Sequence, residues 1–279
     1  MIIENTIEKE NLTRKFTQLL HQKNDDIVRE IMSIEFDAEI QYFVDLYESV
    51  GKRNSYVWKW ALHDTQLIQL SCVDSEYFHT IRLAKLLYAI INVLIDDIAD
   101  ELQNAEIIQE LSSIIHTQTK KDSENQPQTA SYTTVFREIW ESADSLVRKL
   151  PRYSDFEMIL KFDIEQLLNS HLYSLMINKN LFFDNEVEHL LYSPHQMNIM
   201  LFGTVDLMAS RNFKMNELGK LREITWYTSL MYSTIHNLAT WRREVPNGDF
   251  TSKVIVRALD RGIIAVHDLS ELEIGRAHV

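Results

Sequence analysis

Six glycines and four prolines in 279 residues leave this chain few places to reverse direction. That is roughly a third of the average usage of the two residues. Sheet proteins need turn residues at each strand reversal, so a chain this poor in them is expected to consist of long helices joined by few corners. The same shortage bears on chemistry. Gly51, Gly203, Gly219, Gly248, Gly262 and Gly275 stand singly, which leaves neither a phosphate-cradling P-loop nor a dinucleotide fingerprint. The expected fold class is all-α, a helical bundle in a single domain.

Charge narrows the partners. Lys and Arg number 28 against 41 Asp and Glu, a formal net charge of −13. Such a chain repels a phosphate backbone, and no basic patch offsets it, so no nucleic-acid partner is expected. Cys72 is the only cysteine, which rules out an intrachain disulfide and fits a reducing compartment. It reads as a small buried hydrophobe rather than a nucleophile. The opening residues lack a charged-then-apolar secretory pattern. The longest apolar run, Leu86 to Ile95, is interrupted by Asn92 and stops at two aspartates, short of the roughly 20 residues of a membrane span. The expectation is a cytoplasmic protein with no membrane span, monomeric or homodimeric.

Helical spacing of apolar residues recurs along the chain. Ile7 to Leu20 reads as a surface helix. Ile27 to Tyr47 reads as one helix on Ile31, Ile34, Phe36, Ile40, Phe43, Val44 and Tyr47. Tyr56 to Leu70 follows, then Ser75 to Ala99, apolar nearly all round and therefore expected at the bundle centre. Thr117 to Ser131 is polar and low in complexity and reads as a surface loop. Further helices are expected over Thr133 to Lys149, Phe156 to Ile177, Val187 to Leu191, Met197 to Ser210, Glu217 to Trp241 and Ser252 to Leu259. A turn is expected at Asn247-Gly248-Asp249. Residues Glu273 to Val279 read as a non-native tail of the kind a translated sequencing adapter leaves, so the domain is taken as 1–272 and expected to continue in the native protein.

Four carboxylates appear together at the end of the most apolar segment: Asp96, Asp97, Asp100 and Glu101. On a helix Asp96 and Asp100 share one face, with Asp97 and Glu101 beside them. Crowded like charges call for compensation, and a hard divalent cation held by carboxylate oxygens is the natural candidate. About 140 residues downstream, a second polar group ends another apolar helix: His236, Asn237, Thr240, Arg243 and Glu244. His236, Thr240 and Glu244 fall on one stripe, a nitrogen, a hydroxyl and a carboxylate, with Arg243 adding a cation. Two such clusters below apolar stretches suit a ligand with an anionic head and a hydrocarbon tail. The residues one and two turns above them, Tyr88, Asn92, Val93, Tyr232 and Ser233, are expected to line its pocket. Histidines such as His189 and His195 show no zinc-hydrolase spacing.

A D-D-x-x-D motif followed by a downstream Asn/Asp-x-x-x-Ser/Thr-x-x-x-Glu triad resembles the paired metal motifs of class I terpene synthases, over nearly the whole chain. The resemblance implies an isoprenoid-synthase-type α-bundle and a lyase acting on a linear prenyl diphosphate, farnesyl ahead of geranylgeranyl. It implies three Mg²⁺ ions, with Mn²⁺ as an alternative. Asp96 and Asp100 would serve two of them with Asp97 in support; Thr240 and Glu244, with His236 or Asn237, would serve the third; Arg243 would contact the diphosphate. Two departures stand out. His236 occupies a position where the family has Asn or Asp, and no arginine lies between Arg152 and Arg211, where the family's diphosphate-sensing arginine falls. A chain-elongating isoprenyl transferase and a catalytically inactive prenyl-diphosphate-binding protein are the alternative readings.

Overall fold

The computed structural model describes residues 25–117 and 127–269, and every regular element among them is helical. The expected helix Ile7 to Leu20 and the tail Glu273 to Val279 lie outside the described residues. In chain order the α-helices are α1 (25–32), α2 (Ala38–Glu48), α3 (Ser55–Leu67), α4 (Phe78–Asp97), α5 (Ala105–Thr117), α6 (Pro127–Val147), α7 (Tyr153–Lys179), α8 (Glu186–Tyr192), α9 (Ile199–Met208), α10 (Leu218–Glu244), α11 (Lys253–Asp260) and a last turn, α12 (266–269).

α4 is the axis of the bundle, as its all-round apolar pattern implies. It packs along α6 and touches α2, α3, α7 and α9, and Ile81, Leu83, Leu86, Leu87, Ile90, Ile91, Leu94 and Ile95 are all buried. By length and composition alone, Ser75–Asp100 also meets the description of a membrane span, which the apolar run taken by itself does not. In this fold 61% of that stretch's most apolar window is buried among the other helices. Its one interior cation, Lys85, meets Asp206 of α9 at 2.6 Å, both side chains fully buried. Asp206 also accepts a hydrogen bond from the Leu70 N–H at 2.8 Å. Burial pushes the Asp206 carboxyl up to about 6 against the pull of Lys85, so the pair joins α4 to α9 by mutual need.

Local chemistry corrects three boundaries. The helix expected over Ile27 to Tyr47 is two, because Asp37 starts a new one: its carboxylate accepts from the Ile40 N–H at 2.8 Å, satisfying a donor that a helix start leaves free. α5 has no counterpart among the expected segments, although Ile107, Ile108, Leu111, Ile114 and Ile115 recur at helical spacing and are buried. The loop expected over Thr117 to Ser131 is correspondingly shorter. Thr117 closes α5, and Pro127, which carries no N–H to leave unsatisfied, opens α6; 118–126 are outside the described residues.

The last helices position the second polar group. α10 buries Ser229 and Ser233 on its inner side and exposes Ile224, Tyr227, Met231, Ile235 and Leu238 outward. After it the chain turns at Gly248, whose φ of 85° is a left-handed conformation that glycine adopts freely. α11 then folds back, its first turn capped by Ser252. Phe250, Ile255 and Leu269 form a small core there, against Trp241 and Val245.

Candidate functional site: two acidic helix ends

The α-helix of the Asp-rich segment ends at Asp97, and Ile98–Leu102 forms a π-helical turn closed by Gln103 in the left-handed region. The wider turn alters the angular spacing from that expected for Asp96 and Asp100, and such turns recur at functional sites. Acids at a helix C-terminus also face the negative end of the helix dipole, so this cluster is doubly unfavourable without cations.

Arg53, from the segment between α2 and α3, supplies one. Its Nη2 lies 2.9 Å from Asp96 Oδ2 and its Nε 3.3 Å from Asp97 Oδ1. Tyr47 of α2 donates its hydroxyl proton to Asp97 Oδ2 at 2.6 Å. Asp97 is 1% exposed with both oxygens engaged. It lies beneath the cluster, held by Arg53 and Tyr47, in the position of a supporting acid.

Asp96 and Asp100 are the acids that face outward from this arrangement. Burial, opposed by Arg53, raises the Asp96 carboxyl to about 7, and Asp249, Asp97 and Glu244 raise it further. Burial raises Asp100 to about 9, with Asp96 and Asp249 adding to the shift and Arg53 opposing it. Asp249 and Glu244 belong to the far end of the chain. The fold thus brings the C-terminal ends of α4 and α10 into electrostatic contact, the far acids disfavouring ionisation of Asp96 and Asp100.

On α10, Glu244 Oε1 lies 3.9 Å from His236 Nε2 and 3.9 Å from Arg243 Nη2. The Thr240 hydroxyl donates to the His236 carbonyl at 2.9 Å and lies within reach of the Glu244 carboxylate, which it favours in the charged form. Burial nevertheless raises Glu244, with Asp249 adding to it. Burial and Arg243 lower the His236 imidazole, so its neutral form prevails at neutral pH. Asn237 turns elsewhere: its Oδ1 accepts from the Lys253 N–H at 2.5 Å and caps α11. His236 therefore shares the stripe with Thr240 and Glu244, and Asn237, the alternative for that position, turns instead to cap α11.

Of the residues expected to line a pocket, Asn92 belongs to the site. Its Nδ2 donates to the Gln196 carbonyl at 2.8 Å and its Oδ1 faces His171 Nε2 at 2.7 Å, while His171 Nδ1 lies 3.7 Å from Asp96 Oδ1. Val93 is half-buried against the core, and Ser233 is buried on the inner side of α10. Tyr232 donates its hydroxyl proton to Asp64 of α3 at 2.8 Å. Tyr88 is corrected outright: it is 1% exposed and sits across from Trp140 of α6, ring centroids 6.1 Å apart, inside the core. Arg211 is likewise remote. It pairs with Glu76 in the turn just before α4, about 30 Å from Asp96 at roughly 1.5 Å per residue.

Three residues of the site carry no motif. Arg53 reaches it through a long-range ion pair, His171 is a single buried histidine within α7, and Asp249 arrives by the Gly248 turn. Among the described residues, no three His, Cys, Asp or Glu side chains stand close enough together to enclose an ion unaided. No family model, curated protein or solved structure matches this chain.

Proposed function

We propose that this chain is a class I terpene synthase of the isoprenoid-synthase bundle type. In this reading it is a cytoplasmic lyase, monomeric or homodimeric, acting on a linear prenyl diphosphate, farnesyl diphosphate ahead of geranylgeranyl diphosphate. The observation that carries the reading is the meeting of Asp96 and Asp100 with Asp249 and Glu244, acids about 150 residues apart in sequence: the Asp249 charge makes both aspartates harder to ionise, and Glu244 adds to the effect on Asp96. Such destabilisation is relieved by divalent cations. The donor set fits Mg²⁺, which binds through one or two carboxylates and completes its shell with waters and substrate phosphate oxygens rather than in an all-protein cage.

Asp96 and Asp100 would hold ions at the α4 end; His236, Thr240 and Glu244 would hold one at the α10 end. When bound, the ions supply positive charge to the departing diphosphate. Arg243, 70% exposed beside Glu244, is free to swing onto the diphosphate, and Arg53 adds a second cation at the α4 end. Both stabilise negative charge as the allylic carbon–oxygen bond breaks. Tyr47 and Arg53 hold Asp97, and through it the backbone that carries Asp96.

The test is incubation of purified protein with Mg²⁺ and farnesyl or geranylgeranyl diphosphate. Release of inorganic diphosphate with a hydrocarbon product supports the reading, and Asp96→Ala should abolish that release while leaving helix content unchanged. A longer prenyl diphosphate would instead identify a chain-elongating transferase. A second reading, a prenyl-diphosphate-binding protein without turnover, is favoured by His236 at a ligand position; tight substrate binding with no product would establish it.

A further inference from the structure

The polar chain that begins at the Gln196 carbonyl ends on an imidazole nitrogen with nothing to bond. A carbonyl oxygen only accepts, so the contact of Asn92 Nδ2 with Gln196 fixes the orientation of the carboxamide. Asn92 Oδ1 therefore faces His171 Nε2 at 2.7 Å, and because that oxygen also only accepts, Nε2 carries the ring proton. In the neutral ring, Nδ1 is left with a lone pair. It is buried with no hydrogen-bond partner among the described residues, on a side chain 2% exposed, and it points at Asp96 Oδ1 from 3.7 Å. Arg53 occupies the other oxygen of Asp96. Two electron-rich atoms thus face each other across a gap beside an acidic cluster.

We propose that His171 Nδ1 and Asp96 Oδ1 bind one divalent cation between them, so that this site has a mixed nitrogen and oxygen donor set and prefers Mn²⁺, Co²⁺ or Zn²⁺ to Mg²⁺. The inference deepens the reading of the acidic site given above and rests on it. Metal–ligand bonds of roughly 2.1 Å place two donors of one ion roughly 3.0 Å apart at octahedral angles and roughly 3.4 Å apart at tetrahedral ones. Closing the observed 3.7 Å gap by about 0.3 Å for a tetrahedral ion, or about 0.7 Å for an octahedral one, achieves this. The Asn92 contact is the kind of partner a ligating histidine requires, a hydrogen bond to its second nitrogen that sets the tautomer and aims the ring. Imidazole shifts selectivity toward later first-row ions, away from the all-oxygen preference of Mg²⁺.

Mn²⁺ is the probe, added to the full chain with and without inorganic diphosphate and followed by electron paramagnetic resonance. Spin-echo modulation from a coordinated ¹⁴N is expected in the native protein and in His236→Asn, and is expected to vanish when His171→Gln is added to His236→Asn. Asn92→Ala should weaken Mn²⁺ binding by about 10–100-fold. Bound Mn²⁺ without nitrogen modulation, or modulation lost in His236→Asn and kept in His171→Gln, would overturn the inference and leave the terpene-synthase reading standing. Failure to retain Mn²⁺ even with diphosphate would overturn both. Should His171→Gln fail to fold, the His236→Asn protein decides alone: nitrogen modulation there supports the proposal and its absence rejects it.

Discussion

Arg53 and Asp96, 43 residues apart, form an ion pair of 2.9 Å at the entrance to the acidic cluster, and the same guanidinium holds the buried Asp97. One arginine therefore neutralises the ground on which the proposed cations would sit. Arg53→Ala removes that compensation while the Tyr47 hydroxyl stays bonded to Asp97. We expect a loss of about 1–3 kcal/mol, the range for hydrogen bonds to charged groups. Because a divalent cation can take over the compensation, Mg²⁺ should restore part of the loss. Urea melts with and without Mg²⁺ check this, and a deficit indifferent to Mg²⁺ would speak against cation binding at Asp96.

Stability should depend on pH in a direction opposite to that of ordinary paired carboxylates. Asp96 and Asp100 titrate at about 7 and about 9 in the folded protein, against about 4 when unfolded. The folded chain thus holds extra protons between about pH 4 and about pH 9, and its stability falls as pH rises through that window. Thermal melts of metal-free protein at pH 5.5 and 8.5, values chosen roughly within that window, should show the lower melting temperature at the higher pH. Each kcal/mol corresponds to about 2–4 °C in a domain approaching this size. Asp100→Asn should flatten the dependence, and saturating Mg²⁺ should shrink it. Because the buried His171, His189 and His195 imidazoles are pushed down and act in the opposite sense below about pH 6.5, the test is the difference: an equal pH dependence in the native protein and in Asp100→Asn would refute the crowding of acids on which the proposed function rests.

Lys85 and Asp206 carry a prediction about the scaffold alone. Both are completely buried, so Lys85→Met strands a carboxylate in the core beside the Leu70 N–H. We expect destabilisation of about 3–5 kcal/mol, whereas the double change Lys85→Met with Asp206→Leu should recover most of it. Denaturant unfolding of the two variants separates these outcomes, and equal losses would mean that the pair does not stabilise α4 against α9.

The helical architecture was legible because its causes are local. Scarce turn residues, the all-round apolar pattern of α4 and the Gly248 turn each act within a few residues. The two acidic helix ends were legible for the same reason, as abrupt changes from apolar to charged residues. What escaped depends on distance or on side-chain direction. Arg53 meets Asp96, and His171 meets Asn92, only after α2, α4 and α7 have packed. Asn237 and His236 differ by a rotation of one residue on a helix, about 100°, which decides between capping α11 and facing Glu244. Tyr88 shows the limit of face arguments on a central helix: with every side buried, helical phase alone does not say which side a cavity occupies.

The His236 and Asn237 pair turns that rotation into a test. Asn237 holds the Lys253 N–H at the start of α11, so Asn237→Ala should weaken folding by about 0.5–2 kcal/mol, as loss of a helix cap does, and leave metal affinity unchanged. His236 lies 3.9 Å from Glu244, and its imidazole is neutral at pH 7 because burial and Arg243 disfavour the proton. A neutral imidazole suits Mg²⁺ less well than an amide oxygen, so His236→Asn should preserve or raise Mg²⁺ affinity. Titration calorimetry with Mg²⁺ and inorganic diphosphate, run on both variants alongside thermal melts, reads the two effects separately. If Asn237→Ala loses Mg²⁺ while His236→Asn does not change it, the helix presents the other residue to the ion, and the assignment of His236 to the ligand stripe is wrong.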